Sequence, residues 1–283
     1  MLAALEPLLK SHFPGSGGLR THFLLHQDNI NPIAEGADRF STLAQLRNLA
    51  LRPLVEDPTT RYTTDGATVL FINDVALCPD DILELAHQRV QQDADMACAM
   101  DWIDGHLPDP LFYDSFIARS MSGNLFFDIP THPLSWDKAS DLFWDEPIAK
   151  KRYAENQPFQ VFACWNGMVA FTAQPIVKGE ILFRGAREGE GECRTGEPTL
   201  FCKDLWYKGY GKIMVVPTVN LEYSVNKGRK IKELKGFASE VAERVEGQQE
   251  EGDKIEWLPP PDLVKCMPTF QEQTWRAWNE TFA

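Results

Sequence analysis

The stretch Ala67 to Val75, ATVLFINDV, constrains the fold more than any other part of this chain. Val69, Leu70, Phe71 and Ile72 form a continuous apolar run rich in β-branched and aromatic side chains, which predicts a central strand covered on both faces. Asn73 and Asp74 end it. Ligand sites in open α/β sheets lie just beyond the carboxyl ends of the strands, so an acid here can point into a crevice. Asp74 is therefore a candidate ligand, with the alternative that Asn73 and Asp74 cap a helix beginning near Pro79. Residues 94 to 102, ADMACAMDW, repeat the pattern: Met96 to Met100 reads as a second buried strand and finishes in Asp101. Two neighbouring strand ends carrying Asp74 and Asp101 place two carboxylates on one rim, as sites for oxygen-liganded divalent cations do.

The rest of the chain alternates helical and strand-like patterns, as an α/β fold requires. Leu2 to Leu9 has helical spacing, and Thr21 to Leu25 reads as a strand after the GSGG break. A helix capped by Ser41 should end or kink at Pro53, with Arg47 and Asn48 flanking its apolar face. A second runs from about Pro79 to Gln92. Residues 103 to 156 carry many aromatic rings without clear period; they read as a substrate-facing insertion or as ordinary core filling. Phe159 to Ala163 and Met168 to Ala173 read as strands of a hairpin whose tip carries Trp165, Asn166 and Gly167. Ile181 to Arg184 is a further expected strand, before an acidic loop. Residues 199 to 209 suit a helix with Leu200 and Leu205 inward and with Lys203 and Asp204 near that loop. Residues 213–216 and 219–223 suggest two more strands. After Ser224 the composition shifts to an amphipathic helix over 229–247, a charged stretch and LPPP, so the chain divides into a domain over 1–224 and a helical, Pro-rich appendage over 225–283.

Charge and missing motifs narrow the function. A net charge of −13 gives no electrostatic footprint for nucleic acid or an anionic membrane. No apolar run approaches the roughly 20 residues of a membrane span, and the opening MLAALEPLLK lacks the basic start of a signal peptide, so a soluble chain is expected. The six cysteines contain no CxxC pair. Zinc is not indicated, and disulfides stay open. A carboxylate-bound cation that neutralises a leaving diphosphate suits sugar-nucleotide chemistry and equally a phosphatase or kinase. The signatures GxxxxGK[ST], GxSxG and HExxH are absent.

Seven blocks go further: LAQLRNLALRPL (43–54), TVLFINDVALCPDDIL (68–83), ADMACAMDW (94–102), FYDSFIARS (112–120), FACWNGMVAF (162–171), ILFRG (181–185) and GEPTLFCKDLWYKGYGKIMVVPTVNLEY (196–223). In this order and spacing they resemble the fungal cryptococcal α-1,3-mannosyltransferase family, the capsule-associated transferases of glycosyltransferase family sixty-nine. The resemblance implies a GT-A type, Rossmann-like fold with a mixed central sheet. It further implies GDP-mannose as donor, an α-mannoside acceptor, manganese or magnesium as the metal, a retaining outcome and a Golgi or ER lumen location. Carried over, Asp74 and Asp101 are the metal ligands, with Asn73 beside them. Arg47 and Asn48 lie near the nucleotide, and Arg119 and Arg184 offset diphosphate charge or serve as salt-bridge partners. Trp165, Asn166 and Gly167 face donor or acceptor. Glu197 and Asp204 are alternative catalytic carboxylates, with Lys203 alongside. Relatives of this kind begin with a membrane anchor and a strand leading to an SxYESGSxD segment. This chain starts in the helix that follows, which makes a catalytically impaired nucleotide-sugar or glycan-binding remnant the alternative expectation.

Overall fold

Two long apolar runs make the centre of the sheet in the computed structural model, which describes residues 29–56, 66–104, 109–246 and 254–282. The helix expected over 2–9 and the strand over 21–25 lie outside these residues. In chain order the elements are α1 (Arg39–Glu56), β1 (Thr68–Ile72), α2 (Pro79–Gln91), β2 (Met96–Ile103), β3 (Leu111–Phe112), α3 (Pro147–Ala154), β4 (Phe159–Gln160), β5 (Met168–Thr172) and α4 (Gln174–Val177). They continue as α5 (Glu197–Tyr207), β6 (Ile213–Glu222), α6 (Val225–Lys235), α7 (Ala238–Glu246), β7 (Leu263–Cys266) and β8 (Thr274–Ala277). The main sheet has the order β1-β5-β2-β6-β4, with β3 also paired to β2, and β7 and β8 form a separate hairpin. It is an α/β fold with a mixed central sheet.

β2 and β6 run parallel and are buried almost throughout, which is why both read as unbroken apolar sequence. β5 is antiparallel to both β1 and β2, so β1, β2 and β6 all point the same way and end on one rim. Four expectations change here. Among the described residues β1 is an edge strand rather than a central one, with Leu70 39% exposed, and β5 separates it from β2. β2 continues past Asp101 to Ile103, because Trp102 and Ile103 pair with β3. The two short strands expected over 213–223 are one strand through Pro217. There the register with β2 jumps from Cys98–Val215 to Met100–Asn220, so the proline sits in a bulge where no ladder donor is required. The segments on either side of CWNG do not form a hairpin, since β4 pairs with β6 and β5 with β1 and β2.

Helix ends are fixed by local carboxylates. Asp38 accepts from the Ser41 N–H at 3.1 Å, and Asp81 accepts from the Cys78 N–H at 2.7 Å. Capping of α2 thus needs neither Asn73 nor Asp74. Residues 181–187 form no strand; Phe183 is held to α1 by Asn48, whose amide donates to its carbonyl at 2.8 Å and accepts from its N–H at 2.9 Å. The aromatic stretch is largely core, with Phe112, Phe126, Phe127 and Phe143 buried. The expected helix over 229–247 is broken at Gly236 into α6 and α7. Described residues after Ser224 contact the preceding part of the chain: Lys232 pairs with buried Asp81, Gln160 makes two hydrogen bonds to the Leu258 backbone, and a disulfide joins Cys193 to Cys266. A second disulfide joins Cys98 to Cys164. No described helix is long and apolar enough to cross a membrane.

Candidate active site

The site forms where β1, β2 and β6 end, and a tight turn gathers it. Asn166 and Gly167 both have positive φ, 56° and 79°. Asn166 holds that conformation by donating from Nδ2 to the Ala99 carbonyl at 2.7 Å, while its N–H donates to Asp114 Oδ2 at 2.8 Å. Gly167 is required twice over, since a Cβ there would meet Val75 Cγ1 at 2.8 Å. From this turn residues 73–76 cross the rim. Asn73 N–H donates to the Gly167 carbonyl at 3.0 Å and Ala76 N–H to the Glu222 carbonyl at 2.6 Å, which carries Asp74 from beside β5 to beside β6. Asp74 is exposed and makes no hydrogen bond or ion pair among the described residues.

Beneath this crossing lies a pair of acids, Asp101 fully buried and Asp114 half-buried. The Asp101 side chain accepts from the Tyr223 hydroxyl at 2.6 Å through Oδ2, while its buried Oδ1 has no partner among the described residues. Burial, and then the charge of Asp114, push the Asp101 carboxyl well above the usual range, against the Tyr223 hydrogen bond. Asp114 is pushed up to about 6, chiefly by burial and further by Glu197, against the Asn166 N–H, Arg47 and Arg119. The two carboxyls thus share one site in which each disfavours the other's ionisation, so they titrate as a pair. Burial and the two aspartates raise the Tyr223 phenol far above its ordinary value, so Tyr223 remains a donor.

The third part is a caged arginine. Arg47 Nε donates to Glu197 Oε1 at 2.7 Å, and its guanidinium lies 4.3 Å from the Trp165 ring centroid, with Phe71 and Phe183 also around it. Its buried NH1 group has no partner among the described residues. Trp165 in turn donates from Nε1 to Asn73 Oδ1 at 3.3 Å. Hence Arg47, Asn73, Asp101, Trp165, Asn166, Gly167 and Glu197 are drawn together through Asp114.

A family profile described as Cryptococcal mannosyltransferase 1 matches residues 15–204, two-thirds of this chain. The chain belongs to that family. It is 36% identical over 252 residues to the alpha-1,3-mannosyltransferase CMT1 of Cryptococcus neoformans var. neoformans serotype D, an alignment covering 86% of this chain and 53% of that protein. The chain thus spans about half the length of that curated relative. No solved structure matches it.

Within this cryptococcal mannosyltransferase family member, the remaining expected residues stand elsewhere or are already engaged. Arg119 is buried and donates to the carbonyls of Phe116, Ala118 and Lys265, so it fastens β7 to the core rather than facing a diphosphate; burial lowers its pKa to about 9, which leaves it a cation at neutral pH. Arg184 makes two hydrogen bonds each to Asp204 and Glu192, and Lys203 pairs with Glu192 at 2.6 Å. That closed network draws Glu192 down to about 2 against its own burial. It leaves neither Arg184 nor Lys203 free for a phosphate and does not present Asp204 as a nucleophile. Asn48 clamps Phe183, as above. Asp114, Tyr223 and Glu192 were not singled out by sequence. Asp114 and Tyr223 do stand in the FYDSF and NLEY blocks, where an acid or phenol at the end of an apolar run is the signal.

Two carboxylates here keep oxygens unengaged among the described residues: Asp74, exposed on the rim, and Asp101, whose buried Oδ1 has no partner. The acidic group whose ligand atoms lie close to one another is Cys78, Asp80 and Asp81 at the start of α2, and it is already engaged. Asp81 is taken by Lys232 and the Cys78 N–H, and Asp80 by Ser239.

Proposed function

We propose that this chain is a retaining mannosyltransferase domain of GT-A type that transfers mannose from GDP-mannose to an α-mannoside in α-1,3 linkage. The observation that carries the reading is the coupled Asp101–Asp114 pair, Asp101 fully buried with one oxygen unpaired and Asp114 half-buried, below the rim where the parallel strands end. Asp74 and Asp101 would hold manganese or magnesium, which would neutralise charge developing on the departing diphosphate. Arg47 offers the unpaired face of its guanidinium to the same anion, and its stacking on Trp165 fixes that face. Asp114 keeps a negative charge in a water-poor setting, where it favours the oxocarbenium-like character of the transferring sugar. Glu197 anchors Arg47 rather than attacking. Two disulfides support folding in an oxidising lumen such as the Golgi or ER.

The test is incubation of the purified chain with GDP-mannose, α-mannobiose and manganese. A trisaccharide with a new α-1,3 linkage is expected, abolished by EDTA, with thermal stabilisation by GDP that requires manganese. Absence of both product and metal-dependent stabilisation would overturn the proposal. Stabilisation without product would instead favour a glycan- or nucleotide-binding remnant.

A further inference from the structure

The aromatic rings of the 103–156 region are mostly core, and Tyr113 stands out against them. Phe112, its neighbour in sequence, is buried, whereas Tyr113 is 48% exposed although its backbone is firmly held. Its N–H donates to the Asp101 carbonyl at 3.0 Å and its carbonyl accepts from the Ser115 N–H at 2.8 Å. Loose packing does not explain the exposure. The ring meets Tyr223 edge to face, with centroids 4.8 Å apart and planes at 64°. Tyr223 is itself pinned by its hydroxyl to Asp101 Oδ2. The outcome is a rigid pair of tyrosines at the mouth of the acid site, one ring turned edge-on and the other left partly open to solvent.

We infer that the Tyr113–Tyr223 pair is the platform on which a hexose of the acceptor glycan stacks. The inference rests on the glycosyl transfer proposed above and adds where the acceptor binds. The apolar C–H face of a pyranose matches an aromatic face, and its hydroxyls need polar groups at the edge, which the Tyr113 and Tyr223 phenols supply. A diphosphate would gain nothing from this uncharged pair; its cationic partner, Arg47, lies with Trp165 and Glu197. The openness of Tyr113 suits a ligand that continues outward, as an oligosaccharide does and a single donor sugar enclosed over Asp101 does not.

Two readouts test this, initial rates with separately varied donor and acceptor, and saturation-transfer NMR of α-mannobiose with the purified chain. Tyr113→Ala should raise the acceptor KM about tenfold, with the donor KM changed less than twofold, and should weaken the NMR signal of the sugar protons. Tyr113→Trp, which keeps a ring, should hold the acceptor KM near that of the wild-type chain, and Tyr113→Leu, apolar but without a ring face, should behave like Tyr113→Ala if alanine impairs folding. An unchanged acceptor KM in both ring-less variants overturns the inference, and so does a rise confined to the donor KM. If the wild-type chain transfers no mannose, the NMR arm still decides: α-mannobiose binding that is lost on removing the ring supports the platform, and absence of binding to the wild-type chain removes it.

Discussion

Replacing Asp114 with asparagine should make this protein more stable at neutral pH. Asp114 is half-buried among desolvating neighbours, and its pKa is raised from 3.8 to about 6. Below pH 3.8 the carboxyl is protonated in both folded and unfolded chains, and burial carries no ionisation cost. Between 3.8 and about 6 the unfolded chain releases a proton that the folded chain keeps, so wild-type stability falls as pH rises. Above about 6 the loss is complete and amounts to about 3 kcal/mol. Asparagine preserves the acceptor for the Asn166 N–H and removes the charge; the rise to about 6 is already net of the attraction of Arg47 and Arg119, so what remains to offset the gain is the imperfect fit of an amide in the carboxylate's place. A net stabilisation of about 1–3 kcal/mol at pH 7.5 follows, or roughly 3–9 °C in melting temperature. Urea unfolding of EDTA-treated wild-type and Asp114→Asn chains at pH 7.5 and pH 4 measures it. The gain should be present at pH 7.5 and nearly absent at pH 4. A variant less stable than wild type at pH 7.5, or an equal gain at both pH values, would refute the reasoning.

Two further perturbations probe the frame around the site. Lys232→Met strands the buried Asp81 carboxylate between α2 and α6, so chemical denaturation should show a loss of about 3–5 kcal/mol, much of it recovered by adding Asp81→Asn. Gly167→Ala forces a side chain into a positive-φ position against Val75, and should lower stability by about 2–4 kcal/mol, read by thermal unfolding, while disturbing the Asn73 and Asp114 contacts of the turn.

Local chemistry made some parts of this molecule legible before folding was considered. The apolar runs of β1, β2 and β6 are strands, and Pro79 with Asp80 and Asp81 does begin a helix. What the sequence hid was partnership. β1 looked central because four apolar residues in a row resemble a covered strand, yet β5, from almost 100 residues later, is what lies between it and β2. Asp101 looked like a strand terminator because an acid after an apolar run normally meets water. Here Tyr223 from β6's end lets it stay inside the strand. Arg184 read either as a diphosphate partner or as a salt-bridge partner, and the fold shows the salt bridge; that Glu192 and Asp204 are the acids that satisfy Arg184, and Glu192 the one that holds Lys203, no spacing indicated. The gathering of Arg47, Trp165, Glu197 and Asp114 spans elements from α1 to α5, which no spacing rule connects.

The central claim is that the paired acids Asp101 and Asp114 below the rim carry sugar transfer, and Asp101→Asn tests it most directly. The amide is isosteric and can still accept from Tyr223, so the variant should keep wild-type folding by circular dichroism. Transfer from GDP-mannose to α-mannobiose with manganese should then fall by at least about a thousandfold, because the carboxylate oxygen proposed to hold the cation is lost. Turnover within a few-fold of wild type by a folded Asp101→Asn chain would contradict the account.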